Sequence, residues 1–442
     1  MSAPRLCILC LLVTGCIAPS DFKLVRNTGT HSATTTRSVS DGFWWGVSTS
    51  SYQTEDPGPD EENLGFKTDW DLAYESGFIK HPRADGVWSY TRYDRDIAAM
   101  KSLGLTHYRF SIEWARVEPS PGQFNEAAIH HYAEMCRAFR EAGLTPIVAL
   151  WHFTFPSWLS ATTPDEHGWL HPDFQAHWEP YVARIVEALS PFVEFWAPES
   201  EPNTYALGAL IGALPPGGGQ ASYSRYLHTL NIEADAFHRA VALIRKAQPQ
   251  AKIVAIENTI HWKPDLFDFG RFWYKKGAEF NYYHLDRIVD DCDYIGINYY
   301  FSEVASPLAR LAQATRSGPR VSDLGWIIDP AGLEAAIIAM SDRYGKPMLI
   351  TENGIADRTD GKRQRYIGDH LRAIEHAIGA GYDVRGYFHW SLVDNFEWAE
   401  GYTAKFGLFS LDPRTQDLVA KPSCEVYRSF TRKGPAAMAG AP

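Results

Sequence analysis

Two acidic residues each close an apolar run that reads as a buried strand. They are Glu201 in Trp196-Ala-Pro-Glu-Ser-Glu-Pro-Asn203 and Glu352 in Leu349-Ile-Thr-Glu-Asn-Gly354. A pair of carboxyl groups can divide a displacement at a sugar carbon between them, one protonating the leaving oxygen and the other attacking the ring. This requires the fold to bring two residues distant in sequence to one small opening. Glu199 is a rival for the first role, because on a continuous strand it shares a face with Glu201.

The elements that position these groups can be read from alternation. From residue 42 onward, short apolar or β-branched runs alternate with longer amphipathic stretches, as in a parallel sheet wrapped by helices. Eight strands are expected: Phe43 to Tyr52, Leu105 to Trp114, Pro146 to Phe153, Val193 to Ala197, Lys252 to Ile260, Tyr294 to Tyr300, Met348 to Thr351 and Val384 to Ser391. Helical spacing of apolar residues appears in Ala127 to Ala142, Ala176 to Leu189, Leu230 to Lys246, Gly332 to Tyr344, Tyr366 to Ala380 and around Val426 to Thr431. The expected fold is α/β, a single (β/α)8 TIM barrel, whose functional groups sit at the C-terminal ends of the strands. Arg109, His152, Glu201, Asn298, Glu352 and Trp390 each fall late in, or just after, a different expected strand. No internal repeat or second block of composition interrupts residues 41–434, which read as one domain.

Composition narrows the partners. The chain has 442 residues, 45% of them hydrophobic, enough for a large core. A formal net charge of -11 excludes a polyanion such as nucleic acid, whose binding rests on Lys and Arg contacts to phosphate. Aromatic residues make up 14%, which suits stacking on sugar faces, although most aromatics in a barrel of this size belong to the core. Residues 1–15 combine a short basic start with an apolar stretch too brief to span a bilayer, and read as an export signal. Val13-Thr-Gly-Cys16 resembles a bacterial lipobox, which would make Cys16 the lipidated N-terminus of a periplasmic or cell-surface protein. Residues 16–40 then read as a polar, flexible tether and 435–442 as a short tail. On this reading any membrane contact comes only through the lipid. Downstream, Cys136, Cys292 and Cys424 are odd in number and lack metal-site spacing, so neither a disulfide framework nor a zinc site is expected.

Over about residues 42 to 412 the chain resembles glycoside hydrolase family 1, the retaining β-glucosidase and β-galactosidase family. The most specific segments are Ile350-Thr-Glu-Asn-Gly354 and Gly386-Tyr-Phe-His-Trp-Ser-Leu-Val-Asp-Asn-Phe-Glu-Trp398. Tyr108-Arg-Phe-Ser-Ile-Glu-Trp114, Asp293-Tyr-Ile-Gly-Ile-Asn-Tyr-Tyr300 and Phe43 to Gln53 support them. The resemblance implies a cofactor-free and metal-free hydrolase of terminal β-linked glucosyl, galactosyl or fucosyl residues. Glu352 would be its nucleophile, with Arg109 and Tyr300 bonded to it and keeping its pKa low. Glu201, the glutamate that precedes the motif proline Pro202, would be the general acid/base, its pKa raised by the Glu352 charge. Carboxyl groups about 5 Å apart would give retention of configuration. Gln53, His152, Glu397 and Trp398 match sugar-binding positions, with Trp390 as a stacking platform and Asn298 counted among the substrate-binding residues; alone, each is more often a core residue.

The chain also departs from the family pattern. Ser200 stands where the family usually has an Asn that bonds the sugar 2-hydroxyl, which implies slower turnover of standard glucosides or altered contacts at that position. Glu397, Ala404 and Phe406 replace the Ser, Lys and Tyr of the 6-phosphoglycosidase branch, so a neutral sugar is expected. Thr154 replaces an Asp or Asn of many members, and residues 261–292 form a shorter stretch than usual. Pro215 to Gln220 lacks the Lys that a phosphate loop needs and reads as a surface loop. Two alternatives share the same residues: transglycosylation through the same site, and a non-catalytic glycan-binding lipoprotein, which would need neither carboxyl group.

Overall fold

The apolar runs do become strands, and the strands close on themselves. The structure, a computed structural model, describes residues 42–433 except 161, 162, 164, 165, 218–221, 266–270 and 307–315. The expected signal, tether with Cys16 and tail lie outside the described residues. The barrel strands are β1 (Trp44–Ser48), β2 (His107–Ser111), β3 (Thr145–Ala149), β4 (Phe195–Ala197), β5 (Lys252–Asn258), β6 (Tyr294–Asn298), β7 (Met348–Asn353) and β8 (Val384–Trp390). All are parallel, each pairs with its sequence neighbours, and β1 pairs with β8 to close the ring. At that seam Trp44 pairs with Gly386 and Ser48 with Trp390, so two strand ends finish level at one rim.

A helix returns the chain from each strand to the next, and the last one follows β8: α1 (Tyr93–Ser102), α2 (Glu126–Glu141), α3 (Phe174–Leu189), α4 (Tyr223–Ala247), α5 (Phe272–Tyr282), α6 (Pro330–Tyr344), α7 (Gly361–Gly379) and α8 (Ser423–Lys433). The (β/α)8 expectation therefore holds, with shifted boundaries. The first strand ends at Ser48 because the chain turns into a short helix, Ser51–Thr54, whose side chains are all buried. Helix α4 begins well before Leu230, at Tyr223. Helices α1 and α5 were absent from the sequence reading. Charged residues interrupt the apolar stripe of α1, Tyr-Asp-Arg-Asp-Ile-Ala-Ala-Met-Lys-Ser, and α5 carries few aliphatic residues.

Two apolar layers result. One fills the barrel, where Ile147, Ala149, Phe195, Ala197, Val254, Ile256, Leu349 and Phe388 pack together. Trp44 lies beneath, stacked on His107 at 4.6 Å. A side chain at Gly46 would put its Cβ 2.4 Å from the Phe388 ring, so glycine there lets Phe388 occupy the lumen. The second and larger layer lies between strands and helices. Helix α8 is tied to the seam by the Tyr427 hydroxyl, which donates to the Gly46 carbonyl at 2.6 Å and lies 3.3 Å from that of Tyr387. Tyr427→Phe removes a buried hydrogen bond and almost no volume. It should cost about 1 kcal/mol, seen as a lower urea midpoint with an unchanged circular dichroism spectrum.

Candidate active site

The rim at the C-terminal strand ends gathers the candidate residues, and the acidic one on β4 arrives by an irregular path. Pro198 interrupts the β4 ladder after Ala197. Ser200 rejoins it through a single bridge to Ile256, its N–H donating to the Trp151 carbonyl at 3.1 Å. Glu201 then takes a left-handed backbone (φ 51°, ψ 52°), and Pro202 opens helix Pro202–Leu210 at its first position. A left-handed conformation costs a residue with a Cβ roughly 1 kcal/mol. Here it turns the Glu201 carboxyl toward β5 and β6. The amide of Asn298 donates to one oxygen at 2.7 Å and that of Asn258 to the other at 3.1 Å.

Glu352, at the end of β7, meets different partners. Arg109, wholly buried on β2, forms an ion pair with one carboxylate oxygen, and the Tyr300 hydroxyl donates to the other. The second terminal nitrogen of Arg109 donates to the Ser200 hydroxyl oxygen and lies 3.5 Å from Nδ1 of His152. Burial, reinforced by the Arg109 charge, pushes His152 well below its ordinary pKa, so its ring is neutral. Burial and the Glu352 charge push the Tyr300 phenol up, and it remains a donor.

The two carboxyl groups consequently differ in proton affinity. Burial first, and the Glu352 charge second, raise Glu201 to about 7 against the pull of Asn298 and Asn258. Glu352 was expected to lie low. Burial instead lifts it above its ordinary value, with the Arg109 charge and the Tyr300 bond pulling it back. Glu397 is raised to about 8, by burial and then by the Glu352 charge, against a bond from Trp390. Gln53 Nε2 lies 3.4 Å from the Glu397 carboxyl and donates to the Phe396 carbonyl at 2.7 Å. Trp390 and Trp398 flank His152, each 6.0 Å from it between ring centres, and Trp398 stacks on Tyr52 at 6.1 Å. Gln53, Arg109, His152, Ser200, Glu201, Asn298, Tyr300, Glu352, Trp390, Glu397 and Trp398 are thus linked around one rim.

Glu199 is not part of it, contrary to the shared face expected on a straight strand. Because Pro198 breaks the alternation, Glu199 turns into the layer outside the barrel. There Nε2 of His284 lies 3.6 Å away, and the same ring bonds Glu257 at 2.6 Å. Thr154 bonds both oxygens of buried Glu113, at 3.1 and 3.2 Å. Ala404 and Phe406 pack with Trp390 and Ala356 in an apolar cluster. Residues 215 and 216 of the glycine-rich stretch line a small cavity with Trp169, Tyr205 and Tyr226, which includes no rim residue. Cys136, Cys292 and Cys424 are buried free thiols. Among the described residues, no group of three or more His, Cys, Asp or Glu side chains is arranged to hold a metal ion.

Three residues of the site escaped the sequence reading. Asn258 ends β5, so the strand-end rule that found Asn298 was sufficient to find it. Thr351, whose hydroxyl donates to the Asn298 carbonyl oxygen at 2.7 Å, was passed over as part of a motif. Trp326, half-buried, stands edge-on to Tyr300 at 5.6 Å and stacks on Phe301 at 5.1 Å. It lies in an irregular segment where neither periodicity nor strand position marks it.

Comparison with known proteins bears on the family and on the barrel. The family model for glycosyl hydrolase family 1 matches residues 35–266 and 274–435. A bifunctional β-D-glucosidase/β-D-fucosidase from Bifidobacterium breve is 30% identical over 88% of this chain and 97% of its own length. A β-galactosidase from Pyrococcus woesei is 28% identical over 88% of the chain and 96% of its own. Among solved structures, a β-glycosidase from Pyrococcus horikoshii superposes with a TM-score of 0.77 at 30% identity, covering 90% of this chain and 96% of that one.

The contrast between the two carboxyls is directly measurable. Difference infrared spectroscopy across a pH titration should show a carboxyl band disappearing near pH 7 that is missing from Glu201→Gln. Titration of that band with the ordinary glutamates, near pH 4 to 5, would contradict the environment described for Glu201.

Proposed function

This chain belongs to glycosyl hydrolase family 1 and is a retaining β-glycosidase, and we propose that it releases terminal, non-reducing β-linked glucosyl, galactosyl or fucosyl residues through Glu352 and Glu201. The observation that supports these roles is the difference in partners. Glu352 faces a guanidinium and a phenol, which favour its ionised form, whereas Glu201 faces two neutral amides and the negative charge of Glu352, and titrates at about 7.

The first displacement follows from those charges. Glu352 attacks the anomeric carbon while Glu201 gives its proton to the departing oxygen, so the aglycone leaves as an alcohol and the sugar remains as an ester of Glu352. Ester formation removes the negative charge that held the Glu201 proton and leaves the Arg109 cation uncompensated. Both changes lower the proton affinity of Glu201, which is now ionised and takes a proton from an incoming water. Hydrolysis of the ester returns both groups to their starting states with the configuration retained. Binding alone would require none of this opposed arrangement.

The remaining rim supplies the sugar pocket in this reading. Gln53, His152 and Glu397 meet the ring hydroxyls, and Trp390 and Trp398 provide apolar faces. Ser200 marks the chain as divergent. Its oxygen already accepts from Arg109, which leaves the hydroxyl proton as its single donor toward the sugar. For localisation, the Val13-Thr-Gly-Cys16 sequence supports export and lipidation at Cys16, with residues 17–40 as the tether, at the periplasmic face or the cell surface of a bacterium.

The hydrolase reading is tested with residues 41–442 on a panel of aryl β-glycosides. Wild type should turn over and Glu352→Ala should not. Glu201→Gln should lose about 10²- to 10⁴-fold on poor leaving groups and far less on nitrophenyl glycosides, which need no proton. Ser200→Asn should raise kcat on glucosides. A folded wild type inactive on the whole panel would contradict the reading. For the anchor, the full chain made in a bacterium should incorporate labelled palmitate, and Cys16→Ala should not; equal labelling would exclude Cys16 as the site.

A further inference from the structure

Of the two amides that meet Glu201, that of Asn298 alone has its orientation enforced from behind by a described residue. An amide has nearly the same shape either way round, but its oxygen accepts and its nitrogen donates. The Thr351 hydroxyl donates to Oδ1 of Asn298 at 2.7 Å, and Nδ2 of Asn298 then donates to Glu201 at 2.7 Å. Thr351 and Asn298 are both fully buried, so water does not compete for these bonds. Thr351 is itself confined on two sides. Its carbonyl accepts from the Ser48 hydroxyl at 2.6 Å. On the neighbouring β6, a Cβ at Gly296 would fall 2.8 Å from the Thr351 hydroxyl oxygen, so the hydroxyl fits only beside a glycine.

We infer that Thr351 is a positioning residue for the acid/base: its hydroxyl locks the Asn298 amide with the nitrogen toward Glu201, so that the strand carrying the nucleophile also sets how readily Glu201 gives up its proton. This deepens, and rests on, the role proposed above for Glu201. With the amide held this way, its N–H bond favours ionised Glu201 and opposes the burial and the Glu352 charge that favour the acid. A reversed amide would set a carbonyl oxygen against Glu201 and stabilise only the protonated form. The first displacement would tolerate that change, because it uses the acid. The second would not, because Glu201 must then be ionised to take a proton from water.

The test compares Thr351→Val, which keeps the shape and removes the donor, with Thr351→Ser, which keeps the donor, both in residues 41–442. On methyl β-glucoside, whose leaving group needs the proton, the basic limb of kcat/KM should move up by about one pH unit in the Val variant and stay in place in the Ser variant. On p-nitrophenyl β-glucoside, hydrolysis of the ester should slow about tenfold in the Val variant, so that a burst of nitrophenol precedes the steady rate. A purely structural role would lower stability or rate in both variants without moving the limb, and an unmoved limb in Thr351→Val overturns the inference. If Thr351→Val folds poorly, Thr351→Ala removes the same donor and must give the same shift. The Glu201 carboxyl band, identified by its loss in Glu201→Gln, provides a readout that needs no turnover. It should titrate higher in the Val variant alone. An inactive wild type showing that shift would sink the hydrolase reading and leave this one, whereas an active wild type without it would do the reverse.

Discussion

The site is organised around a cation that has no access to water. Arg109 is wholly buried at the rim, and an isolated guanidinium there would be strongly destabilising. It is stable because Glu352 neutralises it and Ser200 and His152 lie against its second terminal nitrogen. These partners come from β7, from the turn after β4 and from the turn after β3, so satisfying one charge fixes the relative placement of three strand ends. Removing either member of the Arg109–Glu352 pair would leave a buried charge alone, so the pair is a constraint on the fold as well as on the chemistry.

The second carboxyl is placed by what Arg109 does not reach. Glu201 is turned by its left-handed backbone toward the amides of β5 and β6, and no cation among the described residues bonds it. Two glutamates buried to a similar degree therefore differ in proton affinity because of the charge of their partners. The barrel makes that difference inexpensive to build: each partner needs only to stand within about two residues of the C-terminal end of its own strand, and the closed hydrogen-bonded ring holds those ends in register.

Much of this was legible from the sequence, and the failures have physical causes. Glu352 and Asn298 end uninterrupted apolar runs, and the strands continue as those runs suggest. Glu199 was misplaced because the period of two was carried through Pro198, which ends the ladder and reverses the expected facing. The Glu352 pKa was misjudged because counting neighbouring donors leaves out burial, a property of the whole fold that no local segment reveals. Helices α1 and α5 were overlooked because tertiary packing, rather than a clean apolar stripe, holds them. Thr351 was hidden because its partner is 53 residues away in sequence and adjacent only across β6 and β7.

The packed lumen has a consequence for the order of events. Phe388, enabled by Gly46, and the Trp44–His107 stack beneath it fill the barrel from below, so the packed lumen offers no path through the barrel to the site. A molecule that will react with the sugar ester must therefore come from the same side of the barrel by which the departing group left. Arrival and departure are therefore a queue, and the product is decided by whichever hydroxyl is next in line when the doorway clears.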